Sequence, residues 1–358
     1  MDLNRIGWSA FFAEGFQTFS EAGFEPARVA VEHRGGYELY AVRDELTAEV
    51  SGKFRHEAAR AGDYPAVGDW VAVRHSPAEA KAVIHAVLPR RTKFSRTTPG
   101  NAVEEQVIAA NIDDVFIVAS LNAVLNLRRL ERYLTLALES GANPVILLTK
   151  SDLCKEPAGL VRAVEGVAGG APVHALSNVT GQGMERLGSY LSDGRTAALL
   201  GPSGVGKSTL INHLCGHEIQ AVQPVRARDD KGRHTTIRRE LICLPLGGLV
   251  IDTPGMRELQ LWEGTEGLGE SFPDIEALGT GCRFADCQHE SEPDCAVLRA
   301  VEAGQLPAAR LESQRKLKLE LRSFERRYEV RARFEERRRG KLKQKEGQQG
   351  RGRSQREE

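Results

Sequence analysis

Between Arg28 and Phe94, apolar and polar residues alternate over several short segments, which is the pattern of half-buried β-strands. Turn signals such as Gly35-Gly36 and Val67-Gly68 separate these segments. The predicted strands are Arg28–His33, Tyr37–Val42, Leu46–Val50, Asp69–Arg74 and Ala82–Leu88. Five short strands in about 65 residues predict a small closed barrel, and from the pattern alone an OB-fold and an SH3-like barrel fit nearly equally well.

The segment before the barrel has a helical pattern. Phe12, Phe16 and Phe19 recur at helical spacing, so residues 1–27 are predicted to be an N-terminal extension with a short amphipathic helix. We expect this helix to pack against the barrel rather than to bind a ligand.

After about Asn111 the pattern changes to alternating strands and helices. Val115–Ser120 and Val145–Leu148 are continuous apolar runs, as in parallel strands that are buried on both faces, and Arg128–Ser140 between them predicts an amphipathic helix. Further predicted strands are Pro172–Leu176, Ala197–Leu200, Leu249–Ile251 and an antiparallel or edge strand over Ile237–Leu244. This alternation predicts a doubly wound α/β sheet, which binds ligands at the carboxyl ends of its strands.

Charge is unevenly distributed, although the formal net charge is zero. From Arg310 to the end there are 18 Lys and Arg residues against 9 Asp and Glu residues. A basic segment on an acidic body favours an anionic partner such as RNA, while a solvated charged helix would have the same composition. Residues 340–358 have the composition of a disordered basic tail.

Composition excludes several classes of protein. Apolar residues at 41% and charged residues at 27% are typical of a soluble globular chain. No apolar run reaches the roughly 18 residues of a membrane span, and the N-terminus lacks a signal-peptide pattern. We therefore expect a cytoplasmic location, where the six cysteines are thiols or metal ligands. Cys154, Cys215 and Cys243 lie in or beside predicted apolar elements and are expected to be buried.

A glycine-rich loop lies between the Ala197–Leu200 strand and a predicted helix over Ser208–Cys215. It reads Gly201, Pro202, Ser203, Gly204, Val205, Gly206, Lys207, Ser208 and Thr209. Glycines allow backbone N–H groups to turn inward around phosphates, and the helix presents its positive N-terminus to them. Lys207 would contact the β- and γ-phosphates and the Ser208 hydroxyl would ligate Mg²⁺, so the loop predicts nucleotide binding.

A second motif, Thr149, Lys150, Ser151 and Asp152, directly follows the Val145–Leu148 strand. A carboxylate at Asp152 can accept hydrogen bonds from both guanine N1–H and the exocyclic amine, a donor pair that adenine lacks. The Lys150 stem would pack along the base. The usual first residue of such a motif is Asn, whose amide braces the phosphate loop, and Thr149 can replace only part of that role.

A third motif follows the Leu249–Ile251 strand and reads Asp252-Thr253-Pro254-Gly255. Asp252 would hold Mg²⁺ through water, and the Gly255 amide would sense the γ-phosphate. The next residue is Met256, where many GTPases have the Gln that orients the attacking water. A thioether cannot do this, so another group must.

The polar segment Gly232–Thr236 offers such a group. Thr235 or Thr236 should complete the Mg²⁺ shell, and we assign Thr236 to it. His234 is adjacent and could position the water, while a loop histidine without a role is the alternative.

Cys282, Cys287, His289 and Cys295 fall within 14 residues. Three thiolates and one imidazole form a closed tetrahedral set for Zn²⁺ with no open position for substrate. The spacing therefore predicts one structural zinc ion.

The order of these motifs is permuted, because the guanine motif precedes the phosphate loop. In this order, and with GRHTT, DTPG and the cysteine-histidine cluster following, residues 5–325 resemble the RsgA (YjeQ/YloQ) family of circularly permuted GTPases. The resemblance implies an OB-fold over residues 28–95 that contacts rRNA, a GTPase domain over 96–276 and a zinc-binding helical domain over 277–339. It also implies that Ser177 and Asn178 belong to the guanine-contact loop and that His234 replaces the missing Gln. The family usually has Ser-Ala in that loop, so Asn178 departs from the family pattern.

The resemblance implies a monomeric factor that acts late in assembly of the small ribosomal subunit, binds its rRNA and hydrolyses GTP to GDP with stimulation by the subunit. Two alternatives stay open from the residues. A non-hydrolysing RNA-binding scaffold would bind GTP only, and a P-loop kinase would use ATP, although Asp152 and the lack of an identifiable phosphoacceptor site disfavour the kinase.

Overall fold

The fold is given by a computed structural model, which describes residues 2–33, 35–42, 45–76, 81–97, 105–218, 239–252, 266–323 and 326. The predicted basic tail, residues 340–358, lies outside this set.

Five described strands form a closed N-terminal barrel. They are β1 (Glu25–His33), β2 (Gly36–Ala41), β3 (Glu45–Val50), β4 (Trp70–Ser76) and β5 (Lys81–Val87). They pair in the order β1-β2-β3-β5-β4, and β4 returns to pair with β1. The β3–β5 pair is parallel and the other pairs are antiparallel. This strand order and closure are those of an OB-fold. The predicted OB-fold is therefore confirmed, and the SH3-like barrel is not.

The N-terminal helix packs on the barrel, as expected. Helix α1 (Ala10–Glu21) buries Phe12 against Trp70, with ring centroids 5.8 Å apart, and Trp8 lies 4.6 Å from the same indole. Trp70 is fully buried at the start of β4. A short helix, α2 (Gly52–Glu57), follows β3.

A hairpin that the sequence pattern above does not identify lies between the barrel and the central sheet. Its strands are β6 (Lys93–Thr97) and β7 (Glu105–Ala110), which pair antiparallel. Pro99-Gly100 between them is a turn signal that could have indicated it.

The central sheet contains the remaining described strands, which are β8 (Asp114–Ser120), β9 (Asn143–Thr149), β10 (Val173–Ala175), β11 (Thr196–Leu200), β12 (Glu240–Cys243) and β13 (Leu249–Asp252). Their order is β10-β9-β8-β11-β13-β12, and only the pair of β12 with β13 is antiparallel within this set. Helices α3 (Leu127–Glu139), α4 (Pro157–Glu165) and α5 (Lys207–Cys215) cover the sheet. Apolar residues on both faces are buried, for example Ile117 on one face and Phe116 on the other.

Strand β12 is not an edge strand, because it also pairs with β1 of the barrel. Val31 is in register with Glu240, and Arg239 forms an ion pair with Glu32 at 3.1 Å. Among the described residues, barrel and central sheet are therefore one continuous sheet of eleven strands.

Arg28 fixes the junction between the N-terminal segment, the barrel and the central domain. Its buried guanidinium donates hydrogen bonds to the carbonyls of Ile6 at 2.6 Å, Gly68 at 3.1 Å and Asn111 at 3.0 Å. Burial lowers the pKa of Arg28 to about 10, so it stays charged at neutral pH. A charged donor that satisfies three carbonyls from three segments constrains all three together.

The C-terminal part is helical and docks on α3. It contains α6 (Glu266–Ser271), α7 (Pro273–Gly279), α8 (Ala296–Glu302) and α9, which covers residues 308–323. Arg310 of α9 is buried and contacts Glu131 of α3 at 2.8 Å and Asp274 of α7 at 2.5 Å. Removing Arg310 would be strongly destabilising, because the Glu131 carboxylate would stay buried without its cationic partner.

Of the three cysteines expected to be buried, Cys215 is buried and Cys154 is half-buried, whereas Cys243 is exposed. The prediction for Cys243 is wrong, because Cys243 is the last residue of β12 and lies beyond the buried Leu241 and Ile242. None of the described helices is long and apolar enough to cross a membrane.

Glu139, at the end of α3, makes stability depend on pH. Its Oε1 atom is buried and has no hydrogen-bond partner among the described residues. Burial raises the pKa of this carboxyl to about 8, which Arg132 opposes and Glu320 reinforces. The folded state thus holds this proton more tightly than the unfolded state, so its contribution to stability is complete below about pH 4.5 and is lost as pH rises to about 8.

We predict that Glu139→Gln removes this loss. The variant should gain free energy of unfolding relative to wild type as pH rises from about 4.5 to 8, by on the order of 1–4 kcal/mol at the alkaline end. Urea denaturation across this range measures the difference. Glu165→Gln, at an exposed position of α4, is the control and should show no such trend. A constant difference between Glu139→Gln and wild type at all pH values would contradict the prediction.

Candidate nucleotide-binding site and metal cluster

The predicted nucleotide motifs converge at one edge of the central sheet. The parallel strands β9, β10, β11 and β13 end at Thr149, Ala175, Leu200 and Asp252. The guanine motif, Ser177, the phosphate loop and the acidic motif begin at or just after these four ends. Carboxyl ends of neighbouring parallel strands are where ligands bind in open α/β sheets, so the permuted order still produces one site.

The phosphate loop connects β11 to the N-terminus of α5. A side chain at Gly201 would lie 2.3 Å from the carbonyl oxygen of Val118, so only glycine fits there. Gly204 and Gly206 have φ angles of 75° and 100°, which favour glycine. Lys207 Nζ donates to the carbonyls of Gly201 and Pro202, both at 2.8 Å, so its ammonium group lies over the loop. Ser208 and Thr209 are half-buried in the first turn of α5.

Three consecutive carbonyls of the phosphate loop accept hydrogen bonds from the guanine side of the site. Lys150 Nζ donates to Gly204 at 2.8 Å and Thr149 Oγ1 donates to Val205 at 2.5 Å. Asn178 Nδ2 donates to Gly206 at 2.9 Å. The contact of Thr149 agrees with the partial bracing role predicted for it. The bracing contact of Asn178 was not predicted from the sequence.

The guanine motif itself forms a tight turn. Lys150 has a left-handed φ of 60°, and a 3₁₀ turn over Ser151–Leu153 places Asp152 at an exposed position. The Ser151 N–H donates to the Leu176 carbonyl at 3.2 Å, which joins this turn to the loop after β10. In that loop the buried Ser177 accepts, through Oγ, the N–H groups of Val179 at 3.3 Å and Thr180 at 3.1 Å.

The acidic motif is only partly described. Asp252 ends β13, opposite Glu240 of β12, and is half-buried. The other predicted residues of the magnesium and water sites, His234, Thr235, Thr236 and Gly255, lie outside the described residues.

The four predicted metal ligands form a cluster beyond α7. The ligand atoms of Cys282, Cys287, His289 and Cys295 all lie within 4.8 Å of one another and could hold a metal ion. Cys295 is also the N-cap of α8, where its Sγ accepts the N–H of Leu298 at 3.5 Å.

The loop that carries His289 is held by Glu292. Its carboxylate accepts the backbone N–H groups of Gln288 and Glu290, each at 2.7 Å, and of Ser291 at 3.0 Å. These bonds lower the pKa of Glu292 to about 2, so it remains an acceptor at neutral pH. His289 itself has a left-handed φ of 61° within this loop.

A family model described as RsgA GTPase matches residues 87–262. A small ribosomal subunit biogenesis GTPase RsgA of Opitutus terrae is 49% identical over 329 residues, which cover 89% of this chain and 90% of the relative. One from Syntrophotalea carbinolica is 43% identical and covers 97% of both chains. The chain belongs to the RsgA GTPase family. It is therefore a GTP hydrolase, as the motifs predicted, and the kinase and scaffold alternatives are disfavoured.

Solved structures agree with this assignment. The crystal structure of YjeQ from Thermotoga maritima has a TM-score of 0.63 at 28% identity, covering 83% of this chain and 98% of that one. YloQ, described as a circularly permuted GTPase, has a TM-score of 0.62 at 24% identity and supports the fold alone. The predicted family and fold class are confirmed.

Proposed function

We propose that this GTPase is a cytoplasmic, monomeric assembly factor of the small ribosomal subunit that binds rRNA and is stimulated by the subunit to hydrolyse GTP to GDP. The observation that carries the proposal is the near-complete alignment with relatives named small ribosomal subunit biogenesis GTPases. The excess of Lys and Arg after Arg310 supports contact with an anionic partner.

Separate groups of residues in this chain would bind the phosphates and the base of the nucleotide. Backbone N–H groups of Gly201–Gly206 and the N-terminus of α5 would bind the phosphates, with Lys207 on their β- and γ-oxygens. Asp152 would accept from the guanine base beside the loop of Ser177 and Asn178.

Mg²⁺ would be held by Ser208, Thr236 and Asp252, and when bound it neutralises charge on the phosphate oxygens. The Gly255 amide would sense the γ-phosphate. Because Met256 cannot orient water, His234 would position the attacking water molecule.

The cysteine-histidine cluster would bind one structural zinc ion. Tetrahedral zinc with bonds of about 2.3 Å to sulfur and about 2.0–2.1 Å to nitrogen separates two sulfur ligands by about 3.8 Å and sulfur from nitrogen by about 3.5 Å. Cys282 Sγ and Cys295 Sγ are 3.8 Å apart, and His289 Nδ1 lies 3.6 Å from the first and 3.5 Å from the second. These distances fit zinc, and the set leaves no open position for a substrate.

The proposed function is tested by phosphate release from GTP with and without purified small ribosomal subunits. Subunits should accelerate turnover, and His234→Ala should lower the stimulated rate by roughly 10²–10⁴-fold, the range for a positioned proton-transfer group. GTP affinity should change little. His217→Ala, at an exposed histidine after α5, is the control. No acceleration by subunits would contradict the proposed function, and an unchanged stimulated rate in His234→Ala would contradict the role of this histidine.

Asp152→Asn should weaken GTP binding at least about tenfold, because a hydrogen bond to a charged group contributes about 1.5–3 kcal/mol. The variant should gain affinity for xanthosine triphosphate, whose base keeps N1–H but has a carbonyl in place of the exocyclic amine, so that the Asn side chain can accept from one and donate to the other. Competition titrations with GTP, ATP and xanthosine triphosphate measure both effects. Glu156→Gln removes a nearby exposed carboxylate and should leave the preference unchanged. Equal affinity of the wild type for ATP and GTP would refute guanine recognition by Asp152.

Metal analysis of protein purified without chelator should find one zinc ion per chain. Cys287→Ser should abolish this and lower the melting temperature of the C-terminal helices, since metal binding is coupled to folding. Nucleotide affinity should persist, because the cluster lies outside the nucleotide site. Cys243→Ser removes an exposed thiol outside the cluster and should retain the metal. Wild-type protein without metal would exclude the zinc site.

A further inference from the structure

The phosphate loop can orient its N–H groups only if its carbonyls have partners. The N–H and C=O of one peptide group point in opposite directions. The carbonyl of Gly204 shares a peptide group with the N–H of Val205, that of Val205 with the N–H of Gly206, and that of Gly206 with the N–H of Lys207. Fixing these three carbonyls therefore fixes three N–H groups at the start of α5, where phosphates bind.

Thr149 cannot supply all the required donors. Its hydroxyl has one proton and lies 2.5 Å from the Val205 carbonyl and 3.1 Å from the Ala119 carbonyl, so it donates to the nearer oxygen. The third carbonyl, that of Gly206, accepts the helical N–H of Leu210 at 2.9 Å and has a second lone pair available. Asn178 Nδ2 lies 2.9 Å from this oxygen.

The orientation of the Asn178 amide is determined by this contact. Its Oδ1 atom is buried and has no hydrogen-bond partner among the described residues. Rotating the amide by 180° would put Oδ1 against the Gly206 carbonyl, which is repulsive. Nδ2 is therefore the atom that faces Gly206.

We propose that Asn178 is a positioning residue of the GTP site. Its side-chain amide holds the Gly206 carbonyl and thereby fixes the orientation of the Lys207 N–H. It supplies from the loop after β10 the amide that guanine motifs ordinarily carry at the position of Thr149. The inference rests on the nucleotide site proposed above. It assigns to Asn178 an effect on the phosphates, in addition to any contact that its loop makes with the base.

The test compares the affinities of GMP and GDP, because GMP has no β-phosphate to engage the loop. Asn178→Ala should weaken GDP binding about 3–10-fold, the effect of losing one neutral hydrogen bond, and change GMP binding less than twofold. Val179→Ala, at an exposed neighbouring position, should change neither. The backbone amide resonance of Lys207 in the nucleotide-free protein should shift in Asn178→Ala and not in Val179→Ala.

Asn178→Asp keeps the shape of the side chain but replaces the donor by an acceptor. It should weaken GDP binding more than Asn178→Ala does. Thr180→Asp adds the same charge at an exposed position of the loop and controls for repulsion of the phosphates.

Three outcomes would overturn the proposal. They are unchanged GDP affinity in Asn178→Ala, equal losses for GMP and GDP, and an effect of Asn178→Asp no larger than that of Thr180→Asp. Wild-type protein that binds neither nucleotide would instead contradict the nucleotide site itself.

Discussion

The contact on which the site depends is the set of hydrogen bonds between the guanine-side loops and the phosphate loop. Lys150, Thr149 and Asn178 hold the carbonyls of Gly204, Val205 and Gly206 in turn. The phosphate loop is thus shaped by residues that precede it in the chain, at the ends of β9 and β10. Circular permutation leaves this contact unchanged, because it depends on neighbouring strands and not on the order in which the chain visits them.

Much of the fold could be predicted because its strands have simple patterns. The alternating strands of the barrel and the apolar runs β8, β9 and β11 are set by burial on one face or on both. The position of β12 in the sheet was harder to predict. Its four residues indicate an antiparallel strand but cannot indicate that its second edge pairs with β1. The buried contact of Arg310 with Glu131 joins residues 179 positions apart, and no local pattern indicates it.

Within the site, too, contacts between residues that are distant in the sequence could not be predicted. The phosphate loop, Asp152 and the cysteine-histidine cluster could be predicted from the sequence. Each combines a characteristic local spacing with side chains or backbone groups suited to its ligand. The side-chain contact of Asn178 depends on its distance from Gly206, a residue 28 positions away. The sequence marks Asn178 only as a departure from the family pattern. At such a position, one substitution can compensate for another that is distant in the sequence but close in space.

The pairing of Val31 with Glu240 has a consequence for how binding events are coupled. The chain enters β12 from residues 219–238, which contain Thr236, one of the predicted magnesium ligands, and His234, the predicted water-positioning residue. If a ligand on the barrel changes the affinity for GTP through β1 and β12, GTP changes the affinity for that ligand by the same factor, because the coupling free energy belongs to both sites. Under the proposed function, RNA bound to the barrel would select the nucleotide to the same degree that the nucleotide selects the RNA.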